Sequence, residues 1–223
     1  MAEKKHLEIY YIRHADRSGT GSGDRPEFDN DLSELGHAQG RALSERFAGM
    51  HFDAVLSSPM VRCVETCSYA LAKCPDRPPV EICPALIEKG TPAGYLGQSL
   101  SYLSKYCEGV VSCPDIVYGG PEQYFASETK ADCMARAAAL NDYLRRRFNF
   151  GQRILLCSHG TLGNSILQTA VSLRREEIAD FIFTLYYTSV SKYKFSEDGR
   201  ERISFANDIS HLRGLMGNIE DKL

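Results

Sequence analysis

The chain has 223 residues, 43% of them hydrophobic, enough for one large α/β domain with a substantial core. Twenty-six basic residues against twenty-nine acidic ones leave a net charge of −3, a balance that offers no footprint for nucleic acid or an anionic membrane. No apolar run approaches the roughly 18 to 20 residues that span a bilayer, and Met1 to Glu8 is charged without an apolar stretch, so neither a membrane helix nor a secretory signal is expected.

The first strand is expected over Leu7 to Arg13, a β-branched and aromatic run, followed by a polar loop from Ala15 to Asp31 that holds Gly19, Gly21, Gly23 and Pro26. Ser33 to Met50 has the pattern of an amphipathic helix, with Ser33 as its N-cap. Phe52 to Leu56 reads as a second strand. After Ser57-Ser58-Pro59 a helix is expected from about Met60 to Cys74, with Pro59 suited to a first helical position. Val80 to Cys83 is a short third strand. Glu88 to Tyr118 is the least regular stretch, with one helix expected near Gln98 to Tyr106.

Glu128 to Phe148 reads as a long helix whose closing Arg145-Arg146-Arg147 complements a helix C-terminus. Arg153 to Ser158 is a continuous apolar run of the kind found in buried parallel strands, and Thr161 to Ser172 reads as the helix after it. Tyr186 to Phe195 and Ile203 to Asn207 are late strands around a Glu197-Asp198-Gly199 turn, a hairpin at a sheet edge. Strands alternating with helices predict a three-layer α/β/α sandwich with a mainly parallel central sheet, and residues 1–223 show no repeat or linker that would divide them.

The eight cysteines (Cys63, Cys67, Cys74, Cys83, Cys107, Cys113, Cys133 and Cys157) contain no CxxC pair, and several sit in apolar runs. Most read as small core residues kept reduced in a cytoplasmic protein, with no zinc site expected.

Reactive groups in such sheets gather beyond the carboxyl ends of the strands. Arg13-His14 ends the first strand, Ser158-His159-Gly160 ends a central one, and Arg62 follows the second. Two imidazoles and two or three guanidiniums converging there repel one another unless an anion is bound, and a phosphoryl group is the natural ligand. The same cations lower an imidazole's pKa and keep it neutral and nucleophilic near pH 7.

Arg13-His14-Ala15, Ser57-Ser58-Pro59 with Arg62, and Ser158-His159-Gly160 together resemble the signature of the histidine phosphatase superfamily, the phosphoglycerate-mutase-like fold, over roughly residues 7 to 212. Ala15 stands where that family usually has glycine. Within the family, Arg17 four residues after Arg13, together with Ser58-Pro59-Met60-Val61-Arg62-Cys63-Val64-Glu65-Thr66, is similar to the phosphatase domain of the suppressor-of-T-cell-receptor-signalling proteins. Their ubiquitin-binding and SH3 modules are not in this sequence, so at most an isolated catalytic domain is expected.

The resemblance implies a histidine acid-type phosphatase that acts on phosphotyrosine or other phosphomonoesters without a cofactor or metal. His14 would attack phosphorus and form a phosphohistidine. Arg13, Arg17 and Arg62 would hold the nonbridging oxygens, with His159 donating to the same oxygens. The backbone N–H groups at Gly160-Thr161 would add to that anion site.

Glu88 aligns with the family's proton donor, with Glu81 and Glu122 as acidic competitors. Asp16 is expected to serve in loop hydrogen bonding, and Thr20 is a further candidate for phosphate contact. His37, His51 and His211 read as packing or surface residues. A phosphoglycerate-type mutase and a catalytically decayed phosphoprotein-binding module are the alternatives. The oligomeric state stays open, a dimer included.

Overall fold

The computed structural model describes residues 5–19, 25–92, 94–115, 117–118, 128–171 and 182–218, with side chains to residue 215. Its centre is a seven-stranded sheet built from β1 (His6–Arg13), β2 (Ala54–Ser57), β3 (Val80–Ile82), β4 (Val110–Ser112), β5 (Arg153–Ser158), β6 (Val190–Ser196) and β7 (Glu201–Asp208), in the order β4-β3-β2-β5-β1-β6-β7. The run from β4 to β1 is parallel throughout. β6 pairs antiparallel with β1, and β7 pairs antiparallel with β6 at the edge.

Alternation along the central strands builds the three layers. Tyr10 and Ile12 of β1, Val55 of β2 and Leu155 and Cys157 of β5 face one core, together with α1 (Glu34–Arg46) and α2 (Val61–Leu71). Ile9 and Tyr11, Leu56, and Ile154 and Leu156 face the other. There they meet α4 (Lys130–Arg147) and α5 (Gly160–Ala170), and a strand buried on both sides reads in sequence as a continuous apolar run. Among the described residues no helix is long and apolar enough to cross a membrane.

Caps and turns set the helix limits. Ser33 caps α1 by accepting from Gly36 N. That helix stops at Arg46, short of the expected Met50, because Gly49 takes up φ +74° and Met50 N turns back to Phe47 O. Thr129 and Asp132 form a reciprocal capping box on α4.

Pro59 lies outside α2. Ser58 N still pairs with Cys157 O, the chain bends at Pro59 and Met60, and the helix opens at Val61. The helix expected near Gln98 to Tyr106 is a single turn, α3 (Leu100–Leu103), continued by i+3-bonded turns to Tyr106.

The strand expected from Tyr186 begins only at Val190. Thr188 adopts φ +54°, Ser189 N turns back to Tyr186 O, and Thr188 N bonds Arg13 O, which folds this segment over the end of β1. β5 then leads directly into α5, where Gly163 is required: the Tyr11 hydroxyl, which donates to His159 O, occupies the place a Cβ would take.

Candidate active site

The carboxyl ends of β1, β2 and β5 lie side by side, because β5 pairs with both β1 and β2. The residues just past those ends share one cavity of about 220 Å³. Its lining includes Arg13, His14, Arg17, Arg62, Glu88 and His159, so all six residues singled out in the sequence meet there.

His14 is buried, and its Nδ1 donates to Ala15 O at 2.8 Å, since a carbonyl can only accept. In a neutral ring this leaves Nε2 as the lone-pair atom. Arg62 Nε donates to it at 3.3 Å, while Arg62 NH2 lies 3.2 Å from His159 Nδ1. His159 Nε2 is 2.9 Å from Ser58 Oγ, and the two ring centroids are 5.1 Å apart. One guanidinium thus spans two imidazoles.

Burial, followed by Arg62, Arg13 and Arg17, holds the His14 pKa well below the usual imidazole range against the opposing bond to Ala15 O. His159 is lowered in the same way by burial, Arg62, His14 and Arg13. Both rings are therefore neutral at neutral pH.

Arg62 is fixed by donating to Phe28 O at 3.0 Å, and Arg17 donates to Asn30 Oδ1 at 2.8 Å. Arg13 donates to Leu185 O at 2.7 Å and stacks 4.0 Å over the Tyr187 ring. Its buried Nε has no partner among the described residues. Such an orphaned cationic donor beside a cation-lined cavity is a place where an anion lowers the energy.

Glu88 corrects one expectation. The N–H groups of Thr161 and Leu162 are not open to an anion, because they donate to Glu88 Oε2 and Oε1 at 3.1 and 3.0 Å. Lys89 N adds a third bond to the same carboxylate at 2.9 Å. His159, the N-cap residue of α5, supplies no side-chain cap, and Glu88 takes that place from a distant loop.

Asp29 does the same for α2. Its Oδ1 accepts from Val61 N at 2.9 Å, and its Oδ2 accepts from Tyr95 Oη. The position of Glu88 in turn depends on the fully buried Arg136, which pairs with Glu128 and donates to Ala85 O and Ile87 O.

The other acids and histidines lie elsewhere. Glu81 pairs with Arg147, and Asp16 accepts from Ser33 Oγ at 2.6 Å, a loop bond as expected. His37 contacts Tyr69, His51 pairs with Asp76, and His211 packs 3.4 Å from Thr188 Oγ1. Thr20 and Glu122 fall outside the described residues.

Asp29, Tyr187 and the lining residues Phe28, Lys89 and Thr91 were not singled out in the sequence. Tyr187 reads there as strand interior; only the turn at Thr188 lays its ring 5.5 Å from that of His14. Among the described residues no group of three or more His, Cys, Asp or Glu side chains could hold a metal ion.

A mainly parallel sheet whose strand ends present neutral imidazoles among guanidiniums defines the class of α/β proteins with an anion-binding cavity at the carboxyl ends of the strands. The family model of the histidine phosphatase superfamily (branch 1) matches residues 9–208, and the chain belongs to that superfamily. It is similar in fold to the Entamoeba histolytica phosphoserine phosphatase solved with 3-phosphoglyceric acid, at 20% identity and a TM-score of 0.62, covering 92% of this chain and 99% of that one.

A putative alpha-ribazole-5'-P phosphatase from Escherichia coli matches at 19% identity and TM-score 0.64 over 91% and 96% of the two chains. The mycobacterial glucosyl-3-phosphoglycerate phosphatase matches at 18% and 0.64 over 91% and 99%. A comparison with curated proteins gave no match. At these identities the likenesses show the fold.

Proposed function

We propose that the chain is a histidine acid-type phosphomonoester hydrolase, acting as one cytoplasmic domain, in which His14 Nε2 attacks phosphorus. The observation that carries this reading is the seating of His14. Its Nδ1–H is engaged by Ala15 O, and its lone pair meets Arg62 in a cavity that Arg13, Arg17 and His159 also line.

In the first step a bond forms from Nε2 to phosphorus and the ester P–O bond breaks, with the leaving oxygen taking a proton from Glu88. In the second, water attacks phosphorus, the P–N bond breaks and Glu88 receives the proton. Arg13, Arg17 and Arg62 hold the nonbridging oxygens, where the transition-state charge is spread.

Substrates are small phosphomonoesters or phosphotyrosine. Likeness to the suppressor-of-T-cell-receptor-signalling phosphatase domain supports the second, and Lys89 in the cavity lining suits a leaving group with an anion of its own. Rapid quenching with phosphorus-labelled substrate is expected to leave an acid-labile, base-stable label on His14 that His14→Ala abolishes. Phosphate release with no labelled histidine would overturn the reading. Release from a simple ester without a diphosphate primer separates a phosphatase from a mutase.

A further inference from the structure

We infer that Cys113 is a peroxide-reactive thiol and that Cys83 is its resolving partner, the two closing to a disulfide across the ends of β3 and β4. The strands run parallel with Ile82 opposite Ser112, and Cys113 N bonds Ile82 O, so the next positions, Cys83 and Cys113, are neighbours in the same register. Both side chains lie on the face occupied by the α4 and α5 core. Neighbouring strands stand about 4.8 Å apart, within the roughly 4.4–6.8 Å Cα separation of natural disulfides.

The two sulfurs differ in a way that assigns their roles. Cys83 is fully buried; Cys113 is partly exposed, the exception among eight free cysteines. Cys113 Sγ lies 3.5 Å from Tyr143 Oη, which itself accepts from Arg147 and donates its proton to Asp115 Oδ2 at 3.1 Å. The neighbouring Cys83 thiol, then the Asp115 backbone, bring the Cys113 thiol down to about 6 against its partial burial, while Cys83 is pushed up. A thiolate at neutral pH with solvent access is the attacking sulfur.

Cys113 sulfur attacks a hydroperoxide oxygen: an S–O bond forms, the O–O bond breaks, and the departing alkoxide or hydroxide takes a proton. The sulfenic acid is then attacked by Cys83 sulfur, whose proton leaves with the displaced oxygen as water. Two thiols and one hydroperoxide give one disulfide, one alcohol or water, and one further water. Cys83 also pairs with Ser57 O and opens the short helical turn Pro84–Leu86, so the crosslink tethers the segment that carries Glu88. The thiol chemistry itself does not depend on the proposed hydrolase reaction.

The test treats the folded protein with hydrogen peroxide, blocks the remaining thiols with a maleimide and maps peptides by mass spectrometry. A Cys83–Cys113 linked peptide is expected, reversed by dithiothreitol, with the other six cysteines still alkylated after unfolding. Cys83→Ser should accumulate a Cys113 sulfenic acid that dimedone traps, and Cys113→Ser should slow peroxide consumption at least tenfold. Folding of each variant is checked by circular dichroism, and Cys113→Ala serves if the serine disturbs packing. A crosslink between other cysteines, or uniform oxidation of all eight, would overturn the assignment, as would a Cys113→Ser protein that consumes peroxide at the wild-type rate.

Discussion

Glu88 is both the proposed acid and the cap of α5, and the two roles separate experimentally. Glu88→Gln keeps one acceptor oxygen for the N–H groups of Thr161 and Leu162 but cannot donate or take up the ester proton. Turnover of alkyl phosphates is expected to fall by ~10²–10⁴, and that of aryl phosphates by less, because their leaving groups need less help. Equal losses on both would remove Glu88 from the chemistry, and loss of stability alone would leave only the cap.

A second residue-scale expectation concerns His211. Burial first, with Arg46 in the same direction and Asp208 opposing, brings it down to about 4. Its folded pKa thus lies below the unfolded value of about 6.5, so its neutral form stabilises the fold above that pH. The contribution is lost as pH falls from about 6.5 towards 4. His211→Gln should flatten that acid limb by about 1–3 kcal/mol in urea unfolding, and an unchanged limb would count against it.

At the level of elements, β1, β5 and α1 were legible because a continuous apolar run and a serine cap are local signals. The caps of α2 and α5 were not. Met60 and His159 are poor caps by residue type, and the carboxylates that serve those helices, Asp29 and Glu88, lie 32 and 73 residues from the N–H groups they hold. For the same reason the motif histidines and arginines were readable, whereas Tyr187 depends on a left-handed residue at Thr188 that no turn signature announces.

Asp29→Ala is expected to lower stability by about 2 kcal/mol, since it removes the α2 cap and leaves a buried N–H unpaired. It should also weaken phosphate binding, because Phe28 O next to it anchors Arg62. Chemical denaturation and an inhibition constant for orthophosphate check the two effects separately.

Across the whole molecule, the cavity joins pieces distant in sequence: the end of β1, the start of α2, the loop after β3 and the start of α5. An anion that bridges their cations stabilises the folded state and has no counterpart in the unfolded chain. At 100 times its Kd, orthophosphate should contribute about 2.7 kcal/mol. For a chain of this size that raises Tm by roughly 5–10 °C in a thermal melt. A shift that survives Arg62→Ala undiminished would place the anion elsewhere.

Because Arg62 donates into the free nitrogen of His14, its guanidinium covers the proposed nucleophile. Arrival of a phosphate gives the guanidinium a better acceptor and uncovers the ring in the same motion. Small electrophiles such as diethyl pyrocarbonate should therefore modify His14 slowly when no phosphate is added. Arg62→Met, which removes the cover, should make that modification faster even as it weakens the hold on substrate.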